Sequence, residues 1–271
     1  MSNSTIAPRL PAPLRSVATA RYVTPLREGG SMPAVVEGDD DGLYVLKFSG
    51  AGQGRKALIA ELVAGELARA LGLLVPEMVF MDLHADLART EADPEIQDLI
   101  RASVGLNLAL DFLPSAAAYD PLVFQPDAAL ASDIVWLDAF VMNVDRTARN
   151  TNMLLWHRRL WLIDHGAALY FQHQWDGYMD RASSPFALIR DHVLLAFASE
   201  LEAADARCRE QLGGDLIGAV VDLIPDDWLS DTETFATPAD QRQAYRSFLL
   251  ARLAASRVFT EEAVRARSLR V

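Results

Sequence analysis

Cysteine and lysine are nearly missing from this chain, and positive charge is scarce. A single cysteine, Cys208, in 271 residues excludes an internal disulfide and a cysteine-based metal site, and it fits a reducing compartment. Its helical surroundings, AADARCREQL, suit a structural or surface thiol. The 25 Lys and Arg residues against 37 Asp and Glu give a net charge of −12. That balance argues against a nucleic-acid partner, which asks for a basic face. A nucleotide is not excluded, because backbone N–H groups, one lysine and a metal suffice to hold phosphates locally. No apolar run approaches the roughly 18 residues of a membrane-spanning helix, and the opening MSNSTIAPRLPAPLR has no apolar signal core. The expectation is a cytoplasmic protein without a transmembrane segment. The five histidines lack HExxH spacing and no GxSxG occurs, so zinc and serine-hydrolase chemistry have no support.

What is present is organised. Apolar residues make up 51% of the chain, enough for a large core. Residues 1–16 read as an irregular lead-in. From Val17 to Phe48 the pattern is that of strands: VATARYV, a break at LREGGSM, PAVVEG, a turn at Asp41-Gly42, then LYVLKF. A helix is expected over 55–71, stopped by Gly72 with Pro76 beyond. EMVFMDL and GLNLALDFLP read as further strands, with a charged, partly helical insertion over 84–104 between them. Beyond residue 114 the character changes. ALASDIVWLDAFVMN is an expected helix over 129–143, its apolar stripe packing against C-terminal helices. TNMLLWHRRLWLIDHG is an apolar hairpin with a polar turn at 157–159. From about Pro185 onward mostly helices are expected, with turns at Gly213-Gly214, Pro225 and Pro238. The fold class is therefore α+β: a β-rich part over 17–114 with one long helix, and a mainly helical part over 115–271.

The chemistry lies in Asn143-Val-Asp-Arg-Thr-Ala-Arg-Asn-Thr-Asn152, the hairpin, and Ile163-Asp-His-Gly166. Phosphoryl transfer needs a carboxylate to orient the attacking hydroxyl, and an amide plus a carboxylate to hold Mg²⁺ against the phosphates. Asp145 and Asn150 stand five apart in a loop leaving a helix. A hairpin runs out and back, so its two ends lie side by side; Asn150 and Asp164 flank it and can reach one Mg²⁺. Either fragment alone is a common loop or turn. The ordered set is much more specific than its pieces.

Two further elements stand upstream. Of 25 basic residues only Lys47 and Lys56 are lysines, and Lys and Arg are not interchangeable. Lys47 ends an apolar strand between Leu46 and Phe48, where a charge needs a partner unless it faces water at an edge. Its acid is sought on the helix 55–71, at Glu61 or Glu66; small neighbours (Ala57, Ala60, Ala64, Gly65) favour Glu61. The stretch Arg27-Glu-Gly-Gly-Ser-Met-Pro33, one strand earlier, has glycines that let backbone approach phosphate. Gly29, Gly30, Ser31 and Met32 are thus candidate phosphate contacts, though a plain hairpin turn explains them as well.

These residues, in this order across roughly 17–175, resemble the HipA-like kinases within the protein-kinase-like fold. The likeness rests on EGGSMP, YVLKF, Glu61 with LARALGLLVPE, NVDRTARNTN and LIDHG. It implies a bilobal kinase using ATP and Mg²⁺. Lys47 would then bind the phosphates, Asp145 would be the catalytic aspartate, Asn150 and Asp164 would hold the metal, and 108–114 would be the adenine-binding hinge. The Asp-Arg pair with Asn at +5 is also similar to phosphatidylinositol kinases. No His-Arg precedes Asp145 and Thr147 stands where protein kinases carry a lysine, so Arg146 or Arg149 is expected to substitute. The acceptor implied is a Ser/Thr hydroxyl of a protein; a small alcohol or lipid headgroup, or a catalytically silent nucleotide-binding module, is the alternative.

Overall fold

The computed structural model describes residues 10–26, 32–89 and 91–270. Strands β1 (Arg15–Pro25), β2 (Ala34–Gly38) and β3 (Leu43–Lys47) run antiparallel in succession. Leu26 donates to the Pro33 carbonyl at 2.7 Å, closing β1 onto β2. Asp41, at φ 62°, turns β2 into β3, the left-handed position that Asp tolerates. With β4 (Met78–Leu83) and β5 (Gly105–Asp111), these strands close a barrel in the order β1-β2-β3-β5-β4. The closing contact, β4 against β1, is parallel. Side chains alternate across a strand, so Tyr44 and Leu46 of β3 fill the barrel while Val45 and Lys47 face away from it.

Helix α1 (Gly54–Ala70) leaves the barrel after β3. It stops as the sequence predicts: Gly72 has φ 77°, and Leu73 N–H reaches the Ala68 carbonyl at 3.0 Å, a Schellman closure. Gly65 lets α1 approach β4, for a Cβ there would lie 2.8 Å from Met78 Cε. The insertion 84–104 contains a short 3-10 helix (Ala85–Arg89) and the α-helix α2 (Pro94–Ala102), capped by the Asp93 side chain; Ile96 and Ile100 of α2 complete the barrel core.

The second part is built on α3 (Ala128–Phe140), which is buried on nearly every side, as expected of a central helix. Around it stand α4 (Leu201–Gln211), α5 (Gly214–Asp222), α6 (Pro238–Ala254) and α7 (Ser256–Ser268), with a small sheet of β6 (Ala117–Ala118), β7 (Met153–Trp156) and β8 (Arg159–Leu162). One core joins α1, α3, this hairpin and the C-terminal helices. Arg252 of α6 is wholly buried and donates to the carbonyls of Ala139, Phe140, Ala182 and Ser184 at 2.7–3.0 Å. It thereby serves the C-terminal end of α3, where a cation is favoured.

Three expectations shift. The helix expected over 129–143 ends at Phe140, because Met142 turns left-handed at φ 55°. Pro238 opens α6 rather than marking a turn: Thr237 caps the helix by accepting from Asp240 N–H, and proline suits the first helical position. Residues 185–200 form one short 3-10 helix (Ala187–Asp191) and turns instead of α-helices. Their backbone is drawn into tertiary bonds, as when Val193 N–H bonds the Arg146 carbonyl at 3.1 Å.

Candidate active site

The hairpin β7–β8 pairs Met153 with Leu162 and Trp156 with Arg159. Its two-residue turn, His157-Arg158, has φ 49° and 60°, the geometry that matches strand twist. The ends of the hairpin meet as the sequence predicts, Ile163 N–H donating to the Asn152 carbonyl at 3.1 Å. Both flanking residues, Asn152 at φ 47° and Asp164 at φ 56°, sit in the left-handed region.

Lys47, Glu61, Asp145, Asn150 and Asp164 line one cleft of about 370 Å³. A second cavity of about 570 Å³ opens on the other side of Lys47 and Asp164, lined by Val45, Leu110, Leu113, Leu154 and Ile163. The strand, helix, loop and hairpin thus deliver their polar residues to a single seam, with an apolar slot beside it. Lys47 Nζ donates to Asp164 Oδ1 at 2.6 Å and lies 3.9 Å from Glu61 Oε2. Burial works against its charge, but Glu61 and Asp164 outweigh burial and hold the ammonium above the ordinary lysine value. Glu61 is likewise buried, yet Lys47 and His165 keep its carboxyl below the usual range. Glu66 lies elsewhere, 3.6 Å from Arg69.

Asp145 is held from behind. Its Oδ2 accepts from Asn150 Nδ2 at 2.6 Å and from Asn152 Nδ2 at 3.3 Å, and its N–H bonds Asn143 Oδ1 at 3.1 Å. The anchor of this loop is Asp138 of α3, which no sequence pattern above singled out. It accepts from Asn143 Nδ2 at 3.0 Å, from Arg146 Nε at 2.6 Å and from His192 Nε2 at 2.9 Å. Leu194 N–H donates to His192 Nδ1 at 3.0 Å, so that nitrogen is the acceptor and Nε2 carries the proton. Burial keeps His192 below its ordinary pKa despite Asp138. Burial also opposes charge on Asp138, but Arg146 and His192 outweigh it and hold its carboxyl well below the usual range. Arg146 further donates to the Asn152 carbonyl. One buried carboxylate therefore fixes both ends of the 143–152 loop.

The sequence signature of the HipA-like kinases matches residues 20–261. The chain belongs to that family. Among curated proteins no relative matches the sequence. By structure this HipA-like kinase is similar to the proinflammatory kinase CtkA of Helicobacter pylori, at 14% identity and a TM-score of 0.61. That superposition covers 93% of this chain and 99% of the other. The Golgi casein kinase with Mn and ADP bound gives a TM-score of 0.49 at 12% identity, covering 93% of this chain and 74% of that one. At such identities the likeness speaks for the fold alone.

The structure brings Lys47, Glu61, Asp145, Asn150 and Asp164 together and leaves other expected residues apart. Gly29, Gly30 and Ser31 lie outside the described residues. Met32, at φ 41°, does not line either cavity, although its neighbour Pro33 lines the apolar slot. Arg146 does not face the cleft: it is buried and spent on Asp138 and Asn152. Arg149 is exposed and, among the described residues, is the arginine of this loop left free. Cys208 is buried, and burial pushes its thiol pKa up, so it stays a structural residue.

Proposed function

We propose that this HipA-like kinase transfers the γ-phosphate of ATP, with Mg²⁺, to a Ser/Thr hydroxyl of a protein, its own chain included. The observation that carries the reading is the convergence of Lys47, Asp145, Asn150 and Asp164 on one seam beside an apolar slot. Adenine suits the slot between Val45, Leu110 and Ile163. Asp111 and Phe112 N–H groups are already given to the Glu77 and Leu43 carbonyls, which leaves Leu113 N–H to face the base. Lys47 reaches the phosphates from the slot's edge. Asp145 has Oδ2 filled by two amides, so Oδ1 is the oxygen that takes the acceptor hydroxyl's proton and aims its lone pair.

A divalent cation fits the donor set. Among the described residues no three His, Cys, Asp or Glu side chains gather into a metal cage. What the cleft offers is the Asp164 carboxylate and the Asn150 amide oxygen, hard donors that suit Mg²⁺ shared with phosphates. The Asn150 nitrogen points at Asp145, leaving its oxygen for the cation. Held by Asp164 and Asn150, such a cation would neutralise charge on the phosphate oxygens.

The basic C-terminus gives little support to an anionic-lipid acceptor. Arg265 pairs with Glu262 at 2.6 Å and Arg270 lies 4.0 Å from Asp191, so these charges are engaged within the chain. The deciding assay is transfer from γ-labelled ATP with Mg²⁺ to self and to lysate proteins. Asp145→Ala is expected to lower transfer about 10³-fold with nucleotide binding retained, and Asp164→Ala to weaken Mg²⁺-dependent binding. Equal transfer by wild type and Asp145→Ala would remove Asp145 from the chemistry. Label on lipid or small alcohols alone would move the acceptor to that class.

A further inference from the structure

His165, the centre of Asp-His-Gly, has no part in the transfer proposed above. Its side chain is fully buried and lies next in sequence to Asp164, yet neither ring nitrogen has a hydrogen-bond partner among the described residues. Buried polar atoms are nearly always paired. The carboxylate neighbour of His165 is informative: Nδ1 lies 3.5 Å from Glu61 Oε1, and among the described residues that oxygen too lacks a donor. The other Glu61 oxygen stands 3.9 Å from Lys47. Two buried groups, Lys47 and His165, are therefore poised around one carboxylate, each a little too far for a hydrogen bond.

Lys47 supplies the reason. It is committed to Asp164 at 2.6 Å, but the roles proposed for both side chains require that pair to loosen. Once Asp164 turns toward a cation, the buried ammonium needs another anion, and Glu61 is the one within reach. Glu61 can receive it only if its carboxylate stays on the cleft side of α1. Helix α1 is itself tied to the segment following His165, since Gln172 donates to the Lys56 carbonyl at 3.0 Å and accepts from Tyr245 Oη at 2.7 Å. A small closure of this unit would bring Glu61 into bonding range of His165 and Lys47 together.

We propose that His165 is a positioning residue whose Nδ1–H holds Glu61 in place to take over Lys47 when Lys47 leaves Asp164. The proposal rests on the ATP reading above. It accounts for histidine at a position where an apolar side chain would fill the same volume and leave Glu61 Oε1 with no donor. It also links the metal-side residue Asp164 to α1 through adjacent residues of one backbone.

The test compares wild type with His165→Phe, which keeps the bulk and removes both nitrogens, and His165→Asn, whose amide nitrogen can stand near the Nδ1 position. The expected loss in His165→Phe falls on KM for ATP and on Kd for Mg-ADP, about tenfold as for residues that orient a ligand-binding group, and more on these than on kcat. His165→Asn should recover most of it. Should His165→Phe fail to fold, ¹⁵N NMR of the ligand-free wild type is the independent measurement: a protonated Nδ1 that shifts in Glu61→Gln supports the contact, and an unprotonated Nδ1 overturns it. Equal falls in kcat and melting temperature with KM unchanged would reduce His165 to a packing residue. Wild-type protein that binds no Mg-ADP would instead bring down the ATP reading, and this proposal with it.

Discussion

Two buried clusters in this protein use the same three kinds of group and bond them differently. At α3, Asp138 meets Arg146 and His192 at 2.6 and 2.9 Å. At α1, Glu61 meets Lys47 and His165 at 3.9 and 3.5 Å. The first cluster pairs both carboxylate oxygens and both imidazole nitrogens. In the second, Glu61 Oε1 and both His165 nitrogens stand unpaired among the described residues. The choice of cation follows the difference. A guanidinium is a rigid fork suited to a fixed anion, whereas an ammonium on a flexible stem changes partners. The Asp138 cluster is a clamp that sets the 143–152 loop, and the Glu61 cluster is a joint between α1 and the Asp164 segment. The proposed transfer uses both: a fixed carboxylate for the acceptor and an adjustable cation for the phosphates.

Removing each carboxylate gives the largest test of that contrast. Asp138→Ala leaves a buried guanidinium without its anion, and such a loss costs about 3–5 kcal/mol. Glu61→Ala leaves Lys47 still bonded to Asp164, so its cost is expected below about 2 kcal/mol. Urea denaturation midpoints at pH 7 check both. Equal losses would erase the distinction between clamp and joint.

Acid gives a graded version. His192 is held below its ordinary pKa by burial, by Arg146 and by Arg270, against the pull of Asp138. Below about pH 6.5, the unperturbed histidine value, the unfolded chain takes up a proton at this residue that the folded one refuses. Stability should therefore fall with decreasing pH, by up to about 1.4 kcal/mol per unit for one such group. His173 has the same sign, through burial and Lys56, but is exposed at the surface and contributes less. Asp138 and Glu61 carry the opposite charge type: their lowered pKa values give stability that is present above about pH 4.3 and lost as pH falls through their folded values. Denaturation midpoints between pH 7 and 3 should show two stages. His192→Gln should flatten the first and leave the second.

The arginines offer a finer cut. Arg149→Ala is expected to shift the melt by no more than about 0.5 kcal/mol while lowering transfer of label, because this side chain is exposed beside Asn150. Arg146→Ala should destabilise by several-fold more, since it empties the clamp. A melt for Arg149→Ala as damaged as that for Arg146→Ala would show that both serve structure.

Much of this was legible in the sequence because the signals are local. The alternation in LYVLKF places Lys47 opposite Leu46, and the apolar hairpin brings Asn150 and Asp164 to one cleft. Gly72 stops α1 by a rule of backbone geometry. What was not legible depends on contacts across the chain. His192 bonds Asp138 across 54 positions, and residues 185–200 give up helix for such bonds. A signal for Asp138 did exist. It stands between Leu137 and Ala139 in an apolar helix, and the argument that a buried charge needs a partner, which singles out Lys47, applies to it equally. Arg146 read as a candidate to assist the phosphate, since nothing local shows that its partner is the buried Asp138.

Gly166 gives the smallest expected effect and the sharpest reading of the joint. Its backbone is not in the left-handed region, and a Cβ built on it meets Ala57 Cβ at 3.6 Å, the Ala57 carbonyl at 3.7 Å and Glu61 Oε2 at 3.7 Å. These are ordinary van der Waals contacts, so nothing in the observed conformation demands glycine. Gly166→Ala is expected to change the melt by less than about 1 kcal/mol, with stabilisation favoured because alanine restricts the unfolded chain. Transfer of label is the informative quantity. Unchanged transfer means the joint works within the conformation seen here. A fall in transfer with an intact melt would mean that the Asp164 segment, in closing Glu61 onto Lys47, passes through a backbone conformation or a Glu61 approach that a methyl group obstructs. The second result would place the moving part of the joint at residues 164–166 rather than in α1.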